Sequence, residues 1–256
     1  VRTLLTTSLL LAAVLGGCAA APVNEARPPA PEKLKVRVLS ALPHDPAAFT
    51  QGLEFSGETL YEGTGLVGKS SMRAGPAGAA PSVRQELPGL FGEGITVLGP
   101  TVWQLTWQDG VAIERDAKTL AERRRVPYTG EGWGLCHREG TGQLVMSDGS
   151  SKLTFRDPVS FAPTGSVDVG RDQLNELECV GDSVYANVWQ TEKILRIDAA
   201  SGRVTGEIDA SGLLDAGERS SADVLNGIAA VPGTGEFLLT GKLWPKMFRV
   251  KFVPVP

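Results

Sequence analysis

Histidine is nearly absent: the 256 residues hold two, His44 and His137, and neither lies in a spacing typical of a zinc site. That excludes a histidine-built zinc centre. Cysteine is almost as scarce, with three residues, so the chain is no disulfide-dense scaffold. A bilayer-spanning apolar run is also missing, since the N-terminal stretch Leu4 to Leu15 is too short to cross as a stable helix. Positive charge is not in excess either. With 25 Lys and Arg against 29 Asp and Glu, and a pI near 5.4, nucleic acid is a poor partner.

Glycine and proline are plentiful. Thirty-one Gly and 17 Pro, scattered without a short period, favour many short strands joined by turns. The N-terminus reads as a targeting segment. Arg2 precedes the apolar run, and Leu15-Gly16-Gly17-Cys18 resembles a bacterial lipobox, which implies cleavage before Cys18 and its lipidation. A plain signal peptide cut near Ala19 to Ala21 is the alternative. Residues 1–17 are thus the expected signal peptide, 18–32 a lipidated cysteine and Ala/Pro-rich tether, and 33–256 the folded domain. Membrane attachment would come only through that anchor, placing the protein in a bacterial envelope or periplasm.

Internal similarity decides the expected fold. Pentads opening with a carboxylate or carboxamide start at Gln51, Glu93, Glu131, Asn175 and Asn226, roughly 40 to 50 residues apart. Three further apolar runs follow most of them, so each repeat holds four short strands. This is the pattern of an all-β, five-bladed β-propeller with four-stranded blades. The last repeat has only three strands before the chain ends, and the spare strand Leu34 to Leu42 is expected to complete it. A β-sandwich or open solenoid is the competing fold.

In such a ring the five pentad-opening residues line one mouth of the central channel. They can be structural, bonding the ends of neighbouring strands, or they can form a concave polar binding site. The tryptophans divide similarly between core filling and pocket walls; Trp107, Trp189 and Trp244 fall near loops, where walls would be. Glu93 stands in Phe91-Gly92-Glu93-Gly94, where both glycines are expected to let a substrate approach. His44, in Pro43-His44-Asp45-Pro46, is expected at the surface. An exported protein meets an oxidising compartment, and Cys136 and Cys179 point to opposite faces of equivalent strands, so a disulfide between neighbouring blades is open to them.

Many motifs, in order, carry a resemblance. Phe49-Thr50-Gln51-Gly52-Leu53-Glu54, Phe91-Gly92-Glu93-Gly94, Glu131-Gly132-Trp133-Gly134, Leu174-Asn175-Glu176-Leu177-Glu178, Leu225-Asn226-Gly227-Ile228 and Thr240-Gly241-Lys242-Leu243-Trp244-Pro245 resemble the plant and bacterial glutaminyl-peptide cyclotransferases. The likeness runs from about Leu34 to Phe252. It implies a five-bladed propeller that converts N-terminal glutamine to pyroglutamate with loss of ammonia. It also implies a catalytic glutamate at Glu93, supporting polar groups at Gln51, Asn175 and Lys242, and pocket aromatics at Phe49, Phe91, Trp107, Trp133 and Trp189. Lys242 would otherwise read as a solvated loop lysine. No catalytic metal is implied, only a structural calcium held by carbonyls in the channel. The implied partners are peptides or proteins with N-terminal Gln, acted on by a monomer. A non-catalytic propeller binding peptides or sugars, and a metal-dependent lactonase-like propeller, are the other function classes.

Overall fold

The computed structural model describes residues 29–255; the signal-peptide, tether and Cys18 expectations fall largely or wholly outside them. The described chain is all-β, with twenty strands and one short helix. Strand β1 (Glu32–Pro43) comes first. Three antiparallel four-stranded sheets follow: β2 (Thr50–Ser56), β3 (Thr59–Thr64), β4 (Ser71–Gly75) and β5 (Val83–Glu86); then β6 (Gly92–Leu98), β7 (Thr101–Thr106), β8 (Val111–Asp116) and β9 (Glu122–Pro127); then β10 (Leu135–Arg138), β11 (Gln143–Met146), β12 (Lys152–Arg156) and β13 (Pro163–Asp168). The rest are β14 (Leu174–Val180), β15 (Ser183–Val188), β16 (Lys193–Asp198), β17 (Val204–Asp209), helix α1 (Ala216–Arg219), β18 (Leu225–Val231), β19 (Glu236–Gly241) and β20 (Lys246–Pro254).

The terminal strands pair as the strand count requires. β1 runs antiparallel to β20, with Val36 opposite Phe252 and Leu42 opposite Met247, and completes the unit β18-β19-β20-β1. One feature goes beyond expectation: residues Glu32 to Lys35 also pair in parallel with Gly206 to Asp209 of β17. That pairing fuses the last two four-stranded units into one eight-stranded sheet. Each unit is an up-and-down meander because the turns are tight and often glycine-bearing, so successive strands must be neighbours.

The core lies between units, not within one layer. Each of five apolar clusters joins consecutive units: Tyr61 and Met72 with Ile95 and Val102; Trp103 with Leu135 and Leu144; Val145 and Leu153 with Leu177 and Val184; Ile194 and Ile208 with Ile228 and Phe237; and Leu238 and Met247 with Leu53 and Leu60. The fifth brings the last unit back to the first. Successive first strands touch in the same cycle, β2 on β6, β6 on β10, β10 on β14, β14 on β18 and β18 on β2.

Side chains stitch this inner ring. Glu176 accepts from the Leu53 amide at 3.1 Å and the Ile228 amide at 2.9 Å, Glu178 from Ala230 at 2.7 Å, and Glu54 from Val97 at 3.1 Å. These bonds satisfy backbone donors that face a neighbouring unit without a sheet ladder to join. Cys136 on β10 and Cys179 on β14 are disulfide-bonded, with Cα atoms 5.4 Å apart, tying the third unit to the fourth.

Candidate active site

Every first strand but β10 breaks its ladder at the same place. The register shifts between Thr50 and Gly52, Gly92 and Ile95, Leu174 and Leu177, and Leu225 and Ile228. The residue at the break is Gln51, Glu93, Asn175 or Asn226. A bulge re-aims a side chain that a regular ladder would hold across the sheet, which explains why polar residues can collect here. The four are buried, each at most 4% exposed.

The fifth member is not Glu131. Strand β10 begins only at Leu135, and Gly132-Trp133-Gly134-Leu135 matches Gly92-Glu93-Gly94-Ile95, so Trp133 occupies the position of Glu93. Glu131 lies two residues earlier, on the connecting segment and partly exposed. The glycines beside Glu93 also have a different role from the one expected. A Cβ on Gly94 would stand 2.6 Å from the Trp133 carbonyl oxygen, and one on Gly92 2.7 Å from that of Thr64. They admit neighbouring backbone, not substrate.

Three of the ring residues form a hydrogen-bonded chain. Asn226 Nδ2 donates to Gln51 Oε1 at 3.1 Å, and Gln51 Nε2 donates to Glu93 Oε1 at 2.9 Å. Among the described residues Glu93 Oε2 has no partner, nor have Asn175 Oδ1 and Asn226 Oδ1. Unpaired buried acceptors are costly, and they suit a ligand rich in N–H donors. Burial drives the Glu93 carboxyl well above the usual carboxylate range; the nearby Glu131 charge adds to this and Lys242 opposes it. Lys242 is likewise buried, which lowers its affinity for a proton despite the attraction of Glu93 and Asp223. Its Nζ sits 4.8 Å from the Phe49 ring centroid.

The five expected aromatics make one wall. Phe49 meets Phe91 edge-on at 6.1 Å, Phe91 meets Trp107 at 5.4 Å, and Trp133 meets Trp189 at 5.5 Å. Glu131 joins the two groups, accepting from Trp107 Nε1 at 2.8 Å and Trp133 Nε1 at 2.9 Å, with Gln108 Nε2 also donating at 2.9 Å. Those donors hold its own carboxyl below the usual range. All five rings keep some exposure, as a pocket wall must. Trp103 and Trp244 do not belong to it: both are buried in core clusters, and Trp244 Nε1 donates to the Asp223 carbonyl. Backbone strain gathers at the same mouth, with positive φ at Gln190 beside Trp189 and at Leu243 beside Lys242.

His44, expected at the surface, has a buried side chain. Nδ1 lies 2.7 Å from the Trp244 carbonyl oxygen and Nε2 3.0 Å from Glu62 Oε1. Glu62 is also bound by Arg73 and Thr50, so this network fastens the Lys242 turn to the strand that carries Gln51. Two hollows, of about 400 and 710 Å³, lie elsewhere: one beside Asp45, Arg73 and Pro76, the other at the opposite end of the first strands, around Glu54 and Glu178.

Among the described residues no group of three or more His, Cys, Asp or Glu can hold a metal ion. At the far end of the first strands Glu176 spends both oxygens on backbone amides, while Glu54 Oε2 is buried without a partner among the described residues. No chemical step here involves calcium. No helix among those residues is long and apolar enough to cross a membrane.

A buried carboxylate of raised proton affinity beside an aromatic wall, backed by an amide and a lysine on an all-β scaffold, is the kind of arrangement that an enzyme site uses. The comparisons agree. The family model for glutamine cyclotransferase matches residues 9–252, and the chain belongs to that family. It is 39% identical over 230 residues to a glutaminyl-peptide cyclotransferase of Arabidopsis thaliana, covering 85% of this chain and 71% of the relative. It also resembles the crystal structure of Myxococcus xanthus glutaminyl cyclase, with 38% identity, a TM-score of 0.79, and coverage of 89% of this chain and 100% of that one. Kuenenia stuttgartiensis hydrazine synthase, 14% identical with a TM-score of 0.50 over 78% of this chain and 56% of that one, bears on the fold alone.

Proposed function

We propose that this chain converts the N-terminal glutamine of peptides or proteins to pyroglutamate and ammonia, with Glu93 as a metal-independent proton shuttle. The observation that carries the proposal is Glu93 itself: buried, raised in proton affinity, and with Oε2 unpaired in a mouth walled by aromatic rings. The reaction is intramolecular, so the pocket needs to fold one side chain back on its own amine instead of gathering two reactants. The aromatic wall suits that task.

As the neutral α-amine forms its bond to the side-chain amide carbon, it loses a proton. Glu93, as carboxylate, accepts that proton and returns it to the departing nitrogen as the old C–N bond breaks, so ammonia leaves and Glu93 ends as it began. Burial raises the proton affinity of Glu93 well above that of an ordinary carboxyl, which makes it a better acceptor for the proton of the attacking amine. Lys242 and the amides of Gln51 and Asn175 are the groups available to the oxyanion that develops on the amide oxygen.

The scaffold for this chemistry is a five-bladed β-propeller of four-stranded blades, the last closed by β1; the cyclic contacts of the first strands and the five inter-unit clusters support it. Export and lipidation at Cys18, leaving the enzyme on the bacterial envelope to meet exported Gln-peptides, complete the proposal. Ammonia release from a Gln-initiated peptide, with and without chelator, tests the activity. Turnover indifferent to chelator is expected. Binding without ammonia indicates a non-catalytic propeller, and loss with chelator a metal-dependent one.

A further inference from the structure

We infer that Asn226 is a positioning residue for proton transfer: it fixes the orientation of the Gln51 amide and thereby assigns the proton of Glu93 to Oε2. The inference rests on reading Glu93 as the shuttle.

The chain of donors has one unambiguous end. Asn226 Nδ2 is 3.0 Å from the Thr50 carbonyl oxygen, which can only accept. The NH₂ end of Asn226 therefore faces Thr50. The same NH₂ lies 3.1 Å from the nearer polar atom of Gln51, which must then be its oxygen. Gln51 consequently turns its own NH₂ to Glu93 Oε1, 2.9 Å away. Which way an amide points is ordinarily settled by its neighbours, and here a backbone carbonyl settles two in succession.

Glu93 inherits the result. Oε1 faces a group that can only donate, so it accepts whether Glu93 is neutral or ionised. A proton on Glu93 sits on Oε2, the buried oxygen without a protein partner. Were Gln51 reversed, its carbonyl would confront Oε1, repelling the carboxylate and drawing the proton of the neutral acid onto Oε1 and off Oε2. Asn226 is fully buried and leaves its own Oδ1 unpaired, a cost that mere packing at this bulge would not require.

The test compares Asn226→Asp, Asn226→Ser and Glu93→Gln as purified domains, measuring kcat, KM, the pH dependence of kcat and melting temperature with one Gln-initiated peptide. A carboxylate at 226 invites the NH₂ of Gln51 and turns its carbonyl to Glu93. Asn226→Asp should therefore lower kcat by ~10² or more with KM nearly unchanged, and move the acid limb of the profile to higher pH. Asn226→Ser, which introduces no charge, should shift both in the same direction but less. A purely structural Asn226 would lower the melting temperature and leave the acid limb in place. If folded Asn226→Ser or Asn226→Asp keeps wild-type kcat and an unmoved limb while Glu93→Gln is inactive, the inference fails and the shuttle stands. If Glu93→Gln stays active, both fall.

Discussion

Gln51 and Glu93 are 42 residues apart in the chain and 2.9 Å apart in space, Gln51 Nε2 donating to Glu93 Oε1. They occupy the same ladder break in consecutive units, so one repeated backbone irregularity supplies both an acid and the amide that orients it. The bond leaves the other oxygen of Glu93, Oε2, without a partner among the described residues. Much of the site's behaviour follows from what surrounds that oxygen.

Glu131 should prove to be a wall residue, not a second shuttle. Trp107 and Trp133 both donate to its Oε2 and Gln108 donates to its Oε1, so an amide in its place must set its NH₂ against the donors on one side. Glu131→Gln is expected to raise KM severalfold with a smaller effect on kcat. It also removes a negative charge that raises the Glu93 pKa, so the acid limb of the activity profile should move to lower pH. An unchanged KM with a kcat loss as large as that of Glu93→Gln would refute this role.

Stability should fall as pH rises through the channel carboxylates. Burial pushes Glu54 up to about 8, and its Oε2 is out of solvent although the residue keeps some exposure. A carboxyl whose folded value exceeds its unfolded value, near ~4.3, keeps in the native state a proton that the unfolded chain gives up. Its contribution is therefore complete below about 4.3 and is lost on the way to 8. Glu54→Gln mimics the protonated form, so the variant's urea midpoint should decline less than wild type between pH 5 and 8.5. Parallel declines would contradict the assignment.

The Cys136–Cys179 bond should matter to stability and not to turnover, because it lies three to four residues along the first strands from the ring, towards the opposite mouth. Replacing both by serine should cost about 2–5 kcal/mol while kcat holds. Two free thiols in the unreduced, unfolded domain would show that the bridge does not form.

Removal of β1 should open the molecule. A domain beginning at Pro31 keeps the β1–β20 and β1–β17 pairings, whereas one beginning at His44 leaves both edges bare and uncovers Leu34's partners. Burial of Leu34 alone contributes about 1.5–3 kcal/mol. Equal melting temperatures for the two domains would rule out closure by this strand.

The sequence announced the repeats because each unit is built locally, from runs of alternating residues cut by turn formers; even the missing twentieth strand could be counted. It misled where like charges were matched instead of like glycines. Aligning Glu131 with Glu93 placed an acid in the ring, although Gly132-Trp133-Gly134 repeats Gly92-Glu93-Gly94 two residues later. The burial of His44 was illegible, since its partners Glu62 and Trp244 lie on strands and turns brought together only by closure. Lys242 and the aromatic wall were reached through family likeness, because nothing in local spacing says which rings face a mouth and which fill a core.

The central claim is that Glu93 moves the proton. Glu93→Gln keeps the size of the side chain and an acceptor oxygen for Gln51, but it cannot take a proton from the attacking amine. The most direct measurement is single-turnover ammonia release by this variant from a Gln-initiated peptide, with peptide affinity measured alongside. The account predicts a rate lower by ~10² or more with affinity preserved. A variant that releases ammonia at near wild-type rate would contradict it.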